Sequence, residues 1–198
     1  NIDGFYMRAW LMEWIGAICT RKFTTDIHLI KSIRKVLKRG DVLCMYPEAR
    51  YSPCGTTSYL PESLGMLIKR SGVPVVVAIH RGNYLHAPFW CFRKKRKVPL
   101  HTTMTQILTA EQAATLPVEE INAIVRQALT YDDYQYQKDN GIRITEPFRA
   151  QGLHKVLYKC PHCGQENQME GKGIHLTCHA CNKNWEMDEY GQLHCCEG

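Results

Sequence analysis

The chain has 198 residues and a mass of 22.8 kDa, with 44% hydrophobic and 22% charged side chains. This ordinary globular balance excludes collagenous, low-complexity and wholly disordered readings, and the length suits one domain of about 150 residues plus a small module. The formal charge of +6 is uneven, with +9 on residues 1–158 and −3 from Lys159 onward. The larger part therefore faces anionic partners such as phosphorylated metabolites, lipid headgroups or nucleic acid, and the tail does not.

No uncharged apolar run approaches the roughly 18–20 residues of a membrane span. The longest candidate, Ala9 to Cys19, is interrupted by Glu13. Ile27, Ile30, Ile33, Val36 and Leu37 have helical spacing, with Asp26 placed to cap the helix and Gly40 to end it. The other face carries Lys31, Arg34, Lys35, Lys38 and Arg39. Val42 to Tyr46 reads as a short buried strand, and Pro47 to Tyr59 as a loop. Pro61 opens a helix through Leu64, Leu67 and Ile68 that Gly72 closes.

Val73 to Ile79, continuous and β-branched, predicts a strand covered on both faces. This order predicts an α/β domain of layered helix and sheet with a mostly parallel sheet. His80 to Trp90 reads as a loop and Arg93 to Lys97 as a solvated basic hairpin tip. Thr102 to Leu108 predicts a strand, Thr109 with Gln112 a capping box, and Ile121, Ile124, Val125, Ala128 and Leu129 a helix behind Pro117. A polar, aromatic stretch follows from Tyr131 to Lys138, and Ala150 to Val156 bridges to the tail. The expected division is 1–152 for the α/β domain and 153–198 for a cysteine module.

Four of the ten cysteines form two pairs, Cys160-Pro-His-Cys163 and Cys178-His-Ala-Cys181. A Cys-x-x-Cys turn presents two thiolates to one ion, and two such turns complete a tetrahedral zinc site. The pattern predicts a zinc ribbon with structural zinc, in the reducing compartment where unpaired thiols persist. A redox pair needs one Cys-x-x-Cys beside a βαβ unit, and a catalytic zinc needs an open position that four thiolates close. His162, His175 and His179 are spare donors expected to face solvent, while Cys195 and Cys196 have no assigned place. Four thiolates on zinc add about −2 to an already acidic tail, which repels phosphate backbones and marks a structural or docking module.

Met45-Tyr-Pro-Glu-Ala-Arg-Tyr-Ser52, Leu60-Pro-Glu-Ser-Leu-Gly-Met-Leu67 and Gly72-Val-Pro-Val-Val-Val-Ala-Ile79 together resemble the glycerolipid acyltransferase family, which includes 1-acylglycerol-3-phosphate acyltransferase. Its second motif is Phe-Pro-Glu-Gly-Thr-Arg-Ser after a strand. Pro47, Glu48 and Ser52 match it directly, and Tyr46 stands for Phe. Ala49, Arg50 and Tyr51 replace Gly, Thr and Arg, so that Arg50 offers its guanidinium one position early. The family's first motif is His-x-x-x-x-Asp, and Asp3 matches its aspartate. The histidine would fall upstream, with two residues between it and Asn1, so the sequence as given is expected to be a fragment lacking the catalytic base. The resemblance spans residues 1 to about 110, and the cysteine tail is an addition to the common pattern.

The resemblance implies an O-acyltransferase of phospholipid biosynthesis that moves a fatty acyl group from acyl-CoA or acyl-carrier protein to a lysophospholipid or glycerol-phosphate hydroxyl. It implies a histidine base oriented by Asp3, acceptor binding by Glu48, Arg50 and Ser52, and a place on the cytoplasmic face of a membrane. The chemistry is coherent: the attacking hydroxyl needs a base titrating near neutrality, and the acceptor phosphate needs a fork-shaped cation. Bland roles stand beside these, namely a surface ion pair for Glu48 and Arg50 and a helix cap for Asp3. Two other functions remain open, a nucleic-acid-binding zinc-ribbon protein and an inactive acyltransferase-like scaffold. The segregation of basic charge from the ribbon speaks against the first. The Ala49, Arg50 and Tyr51 departures permit the second.

Overall fold

The computed structural model describes residues 9–18, 27–91 and 93–196. Helices α1 (Ala9–Trp14) and α2 (Ile27–Lys38) come first. α2 buries Ile33 and carries Lys35 and Lys38 in its last turn, where cations suit the negative end of the helix dipole. The expected Asp26 cap lies outside the described residues. α3 (Ser63–Ser71) ends as expected at Gly72, whose φ of 59° lets its N–H reach the Ile68 carbonyl.

After α3 come β1 (Val75–Arg81), the short helix α4 (Asn83–His86), a 3-10 turn (Phe89–Cys91), β2 (His101–Leu108), α5 (Ala110–Thr115), α6 (Val118–Leu129) and α7 (Asp133–Asp139). The capping box of α5 is formed: the Thr109 hydroxyl accepts from Gln112 N–H at 3.2 Å, and the Gln112 side chain accepts from Thr109 N–H at 2.9 Å. α3 and α6 are joined by Asn122, which accepts from Gly65 N–H at 2.8 Å and donates to the Glu62 carbonyl at 2.9 Å. Beneath them Leu108, Ile121 and Val125 form a buried cluster with Leu64, Ile68 and Val75 against it.

The expected parallel sheet is overturned. β1 and β2 pair antiparallel, from Val75 opposite Leu108 to Arg81 opposite His101, and the second sheet is antiparallel throughout. Val42 to Tyr46 forms no strand: Val42 is 93% and Tyr46 84% exposed, so the strand that would have lain parallel to β1 is missing. β1 is covered on one face only, with Val77 buried and Val76 52% exposed. A β-branched run signals an extended backbone, but it does not say how many faces are covered or which partner closes the ladder. The later strand His101–Leu108 supplies that partner, and it runs back along β1.

Two local expectations also change. His80 belongs to β1 rather than to a following loop. The basic run is not wholly a solvated tip, because Arg96 is 1% exposed, its guanidinium stacks 4.8 Å from the Trp90 ring, and it donates to the Arg149 carbonyl at 2.5 Å. Arginine can be buried this way because its planar, weakly hydrated cation satisfies a ring face and a carbonyl together.

The tail folds as a four-stranded antiparallel sheet in the order β3 (Met169–Lys172), β4 (His175–Cys178), β5 (Asn184–Met187) and β6 (Leu193–Cys196). Its inward residues Cys160, Met169, Leu176, Cys178 and Met187 share one buried cluster with Trp90, Cys91, Ala150 and Leu153. The stretch from Ala150 to Val156 is thus part of a core, and a 3-10 turn at Leu153–Lys155 closes it.

Candidate functional site

Two sites emerge, one in each part of the sequence. In the tail, the sulfurs of Cys160, Cys163, Cys178 and Cys181 all lie within 4.8 Å of one another. Cys160 Sγ is 3.7 Å from Cys181 Sγ, and Cys163 Sγ is 3.8 Å from Cys178 Sγ. Four thiolates about 2.3 Å from a tetrahedral ion stand about 3.8 Å apart, so the donor set fits zinc. The two turns are built alike: Cys160 N–H bonds the Gln165 carbonyl and Cys178 N–H the Lys183 carbonyl, each at 2.9 Å. Gly164 and Asn182 take the left-handed conformation with φ of 72° and 57°.

The thiols are electrostatically coupled. Burial opposes ionisation of Cys160, but the N–H groups of Cys163 and His162 and the neighbouring thiols bring its pKa down to about 7. The Lys183 N–H favours the Cys181 thiolate, yet burial and the other three cysteines push its pKa up to about 12. For all four to be thiolates at this spacing, a cation among them would have to offset their mutual repulsion. His179 faces Glu170 at 3.1 Å and His175 faces Asn184, which leaves the cysteines as the donor set.

The second site is the loop between α2 and α3. Pro47 and Glu48 form a turn closed by Ala49 N–H on the Tyr46 carbonyl at 3.1 Å. Ala49 has φ of 52°, a left-handed conformation that suits glycine. Arg50 follows, exposed, its Nε donating to Ser58 Oγ at 2.5 Å. Ser52 is committed to the loop itself: its Oγ accepts from Gly55 N–H at 2.9 Å and donates to the Thr56 carbonyl at 2.8 Å. The far side is pinned to the segment after α6. Thr57 N–H bonds the Tyr131 carbonyl at 3.1 Å, Tyr131 N–H bonds Thr57 Oγ1 at 2.7 Å, and Asp133 N–H bonds the Gly55 carbonyl at 2.9 Å.

Beside the loop opens a cavity of about 380 Å³, whose walls include Tyr51, Ser52, His80, Tyr84, Tyr131 and Asp133. Asp133 is 1% exposed and caps α4, accepting from Gly82 N–H and Tyr84 N–H at 3.0 Å each. Burial nevertheless holds its pKa above the usual carboxylate range, against those N–H groups. Burial likewise raises Tyr131, with the charges of Glu48 and Asp133 adding to it and a hydrogen bond to Ser52 opposing. His80 Nδ1 pairs with Thr102 Oγ1 at 2.8 Å across the β1–β2 ladder.

Of the residues expected from sequence, Glu48, Arg50 and Ser52 share the loop but have different partners: Arg50 bonds Ser58, Ser52 bonds Gly55 and Thr56, and Glu48 lies near enough to Tyr131 to act on it electrostatically. Asp3 lies outside the described residues. Tyr84, Tyr131 and Asp133 were not anticipated. Tyr131 and Asp133 had a local signal in the aromatic, acidic cluster after α6, where Asp132 does cap α7 through Tyr134 N–H and Gln135 N–H, and Tyr84, in the stretch read as a loop, had none. No family-wide sequence profile, curated protein or solved structure matches the chain.

Proposed function

We propose that the protein is an O-acyltransferase of phospholipid biosynthesis, taking a fatty acyl group from acyl-CoA or acyl-carrier protein and delivering it to a lysophospholipid or glycerol-phosphate hydroxyl. The observation that carries this reading is the backbone at Ala49. The acyltransferase motif has glycine at that position, and Ala49 takes a left-handed conformation that a glycine would adopt without strain, which supports the reading. The same turn leaves Arg50 exposed beside a cavity walled by aromatic rings and a few polar groups.

In this reading Arg50 binds the acceptor phosphate as a charge-assisted, fork-shaped donor. Ser52 and Tyr131 wall the cavity that would receive the acceptor, and Glu48 acts on Tyr131 from beside it. The resemblance implies a histidine general base partnered by Asp3 for the attacking hydroxyl, whose oxygen bonds the thioester carbonyl carbon as the thiol leaves. The tail's metal is structural, because four thiolates fill a tetrahedral shell. Among the described residues no helix is long and apolar enough to cross a membrane. Contact with the cytoplasmic face of a membrane would use the basic face of α2.

The test is transfer of labelled acyl groups from acyl-CoA and from acyl-carrier protein to glycerol 3-phosphate and lysophosphatidate, using the complete gene product. Arg50→Ala should raise the acceptor KM about tenfold or more, since a charge-assisted contact is worth about 1.5–3 kcal/mol, with Lys restoring only part of the loss. Absence of transfer to either acceptor from either donor would leave the inactive-scaffold reading in its place.

A further inference from the structure

We propose that Tyr84 is a positioning residue through which the metal-holding ribbon fixes the Pro47–Ser58 loop. The inference rests on the acyltransferase reading only where it concerns substrate; the mechanical coupling stands on contacts.

On the loop side Tyr84 makes two contacts. Its hydroxyl donates to the Pro53 carbonyl at 2.9 Å. Its ring lies against Gly55, where a Cβ would come within 2.6 Å of Tyr84 Cδ1 and where φ is 77°, so only glycine admits the ring this closely. On the ribbon side Tyr84 again makes two contacts. The Trp90 indole N–H donates to the Tyr84 hydroxyl at 3.0 Å, and Trp90 is buried in one cluster with Cys160, Cys178, Met169, Leu176 and Met187. The Tyr134 ring meets Tyr84 edge-on, with centroids 6.0 Å apart, and is pressed in turn by Gly191 between β5 and β6, where a Cβ would be 2.6 Å from Tyr134 Cε1.

The Tyr84 hydroxyl thus accepts from a ribbon-anchored indole and donates to a loop carbonyl. A phenylalanine would fill the same volume and serve a purely packing role equally well. Only a hydroxyl joins the two partners, accepting from Trp90 Nε1 in a part-buried place and donating to the exposed Pro53 carbonyl. The consequence is that metal occupancy in the tail sets the order of a loop on the other side of Tyr84. Loss of the ion loosens Trp90 and the Gly191 turn, and the loop loses its back wall.

The test compares wild type and Tyr84→Phe, both zinc-loaded, by amide hydrogen exchange. In Tyr84→Phe the amides of Gly55 and Thr57 should exchange about fivefold faster, the factor expected for one hydrogen bond, while the β1–β2 amides and the zinc content stay unchanged. Chelating the zinc should raise loop exchange in wild type by a larger factor than in Tyr84→Phe, where the link is already cut. In the acyl-transfer assay Tyr84→Phe should raise the acceptor KM about three- to tenfold with kcat within about twofold, the split expected of lost ground-state positioning. Unchanged loop exchange, or equal increments on chelation in both proteins, would overturn the coupling. If the loop responds as expected but neither protein transfers acyl groups, the coupling stands and the enzymatic reading falls.

Discussion

The ribbon and the β1–β2 region are both short antiparallel sheets, yet they are held by different means. The ribbon's strands are four residues each, too short to stand alone, and its inward side chains gather around four sulfurs. The β1–β2 pair is longer and owes its place to Leu108, Ile121 and Val125 beneath it. One region gathers four sulfurs of fixed spacing that could chelate a metal ion, the other is held by burial between residues far apart in the chain. Chelation leaves a signature in the sequence that burial does not.

The largest effect that sharpens this contrast is removal of a thiolate. Cys160→Ser or Cys178→Ser should take zinc content from one equivalent to none. Structural zinc contributes about 10–16 kcal/mol, comparable to the whole net stability of a domain, so the ribbon should unfold. Amide exchange would show residues 159–196 unprotected, with loss extending to Trp90 and Leu153, while the α3–α6 amides keep their protection. Retained ribbon protection without metal would break the comparison.

The complementary change is Ile121→Ala. Truncating a fully buried aliphatic chain costs about 2–5 kcal/mol. It should lower the melting temperature of the β1–β2 and α3–α6 region while zinc stoichiometry stays at one. Loss of zinc in that variant would mean that the two regions unfold as one unit.

The smallest effect concerns pH. Burial raises the Asp133 pKa, so the folded state holds its proton more tightly than the unfolded chain does. Its contribution to stability is therefore greatest below the ordinary carboxylate value and is lost as pH rises through the folded value. The melting temperature of wild type relative to Asp133→Asn should fall as pH rises from about 4 to 7. Differential scanning of the pair at several pH values measures this. A gap independent of pH would show that Asp133 is ionised at no cost in the fold.

Several elements of the fold were legible in the residues themselves. Gly72 ends α3, Thr109 and Gln112 cap α5, Pro117 precedes α6, and the two Cys-x-x-Cys turns converge, because each of these acts within a few residues of backbone. That Pro47 to Tyr59 is a loop was legible from its Pro, Gly, Ser and Thr content, whereas the left-handed backbone at Ala49 was not. Strand partners, the burial of Arg96 and the gathering of Tyr84, Tyr131 and Asp133 were decided only in three dimensions. An apolar run favours an extended backbone, but tertiary contacts decide whether it pairs and with what: Val42 to Tyr46 stays outside any strand, while Val75–Arg81 pairs with His101–Leu108. A tyrosine's spacing likewise says nothing about where its hydroxyl points. Tyr84 joins Trp90 to Pro53 only because tertiary packing brings both partners within hydrogen-bond reach of one oxygen.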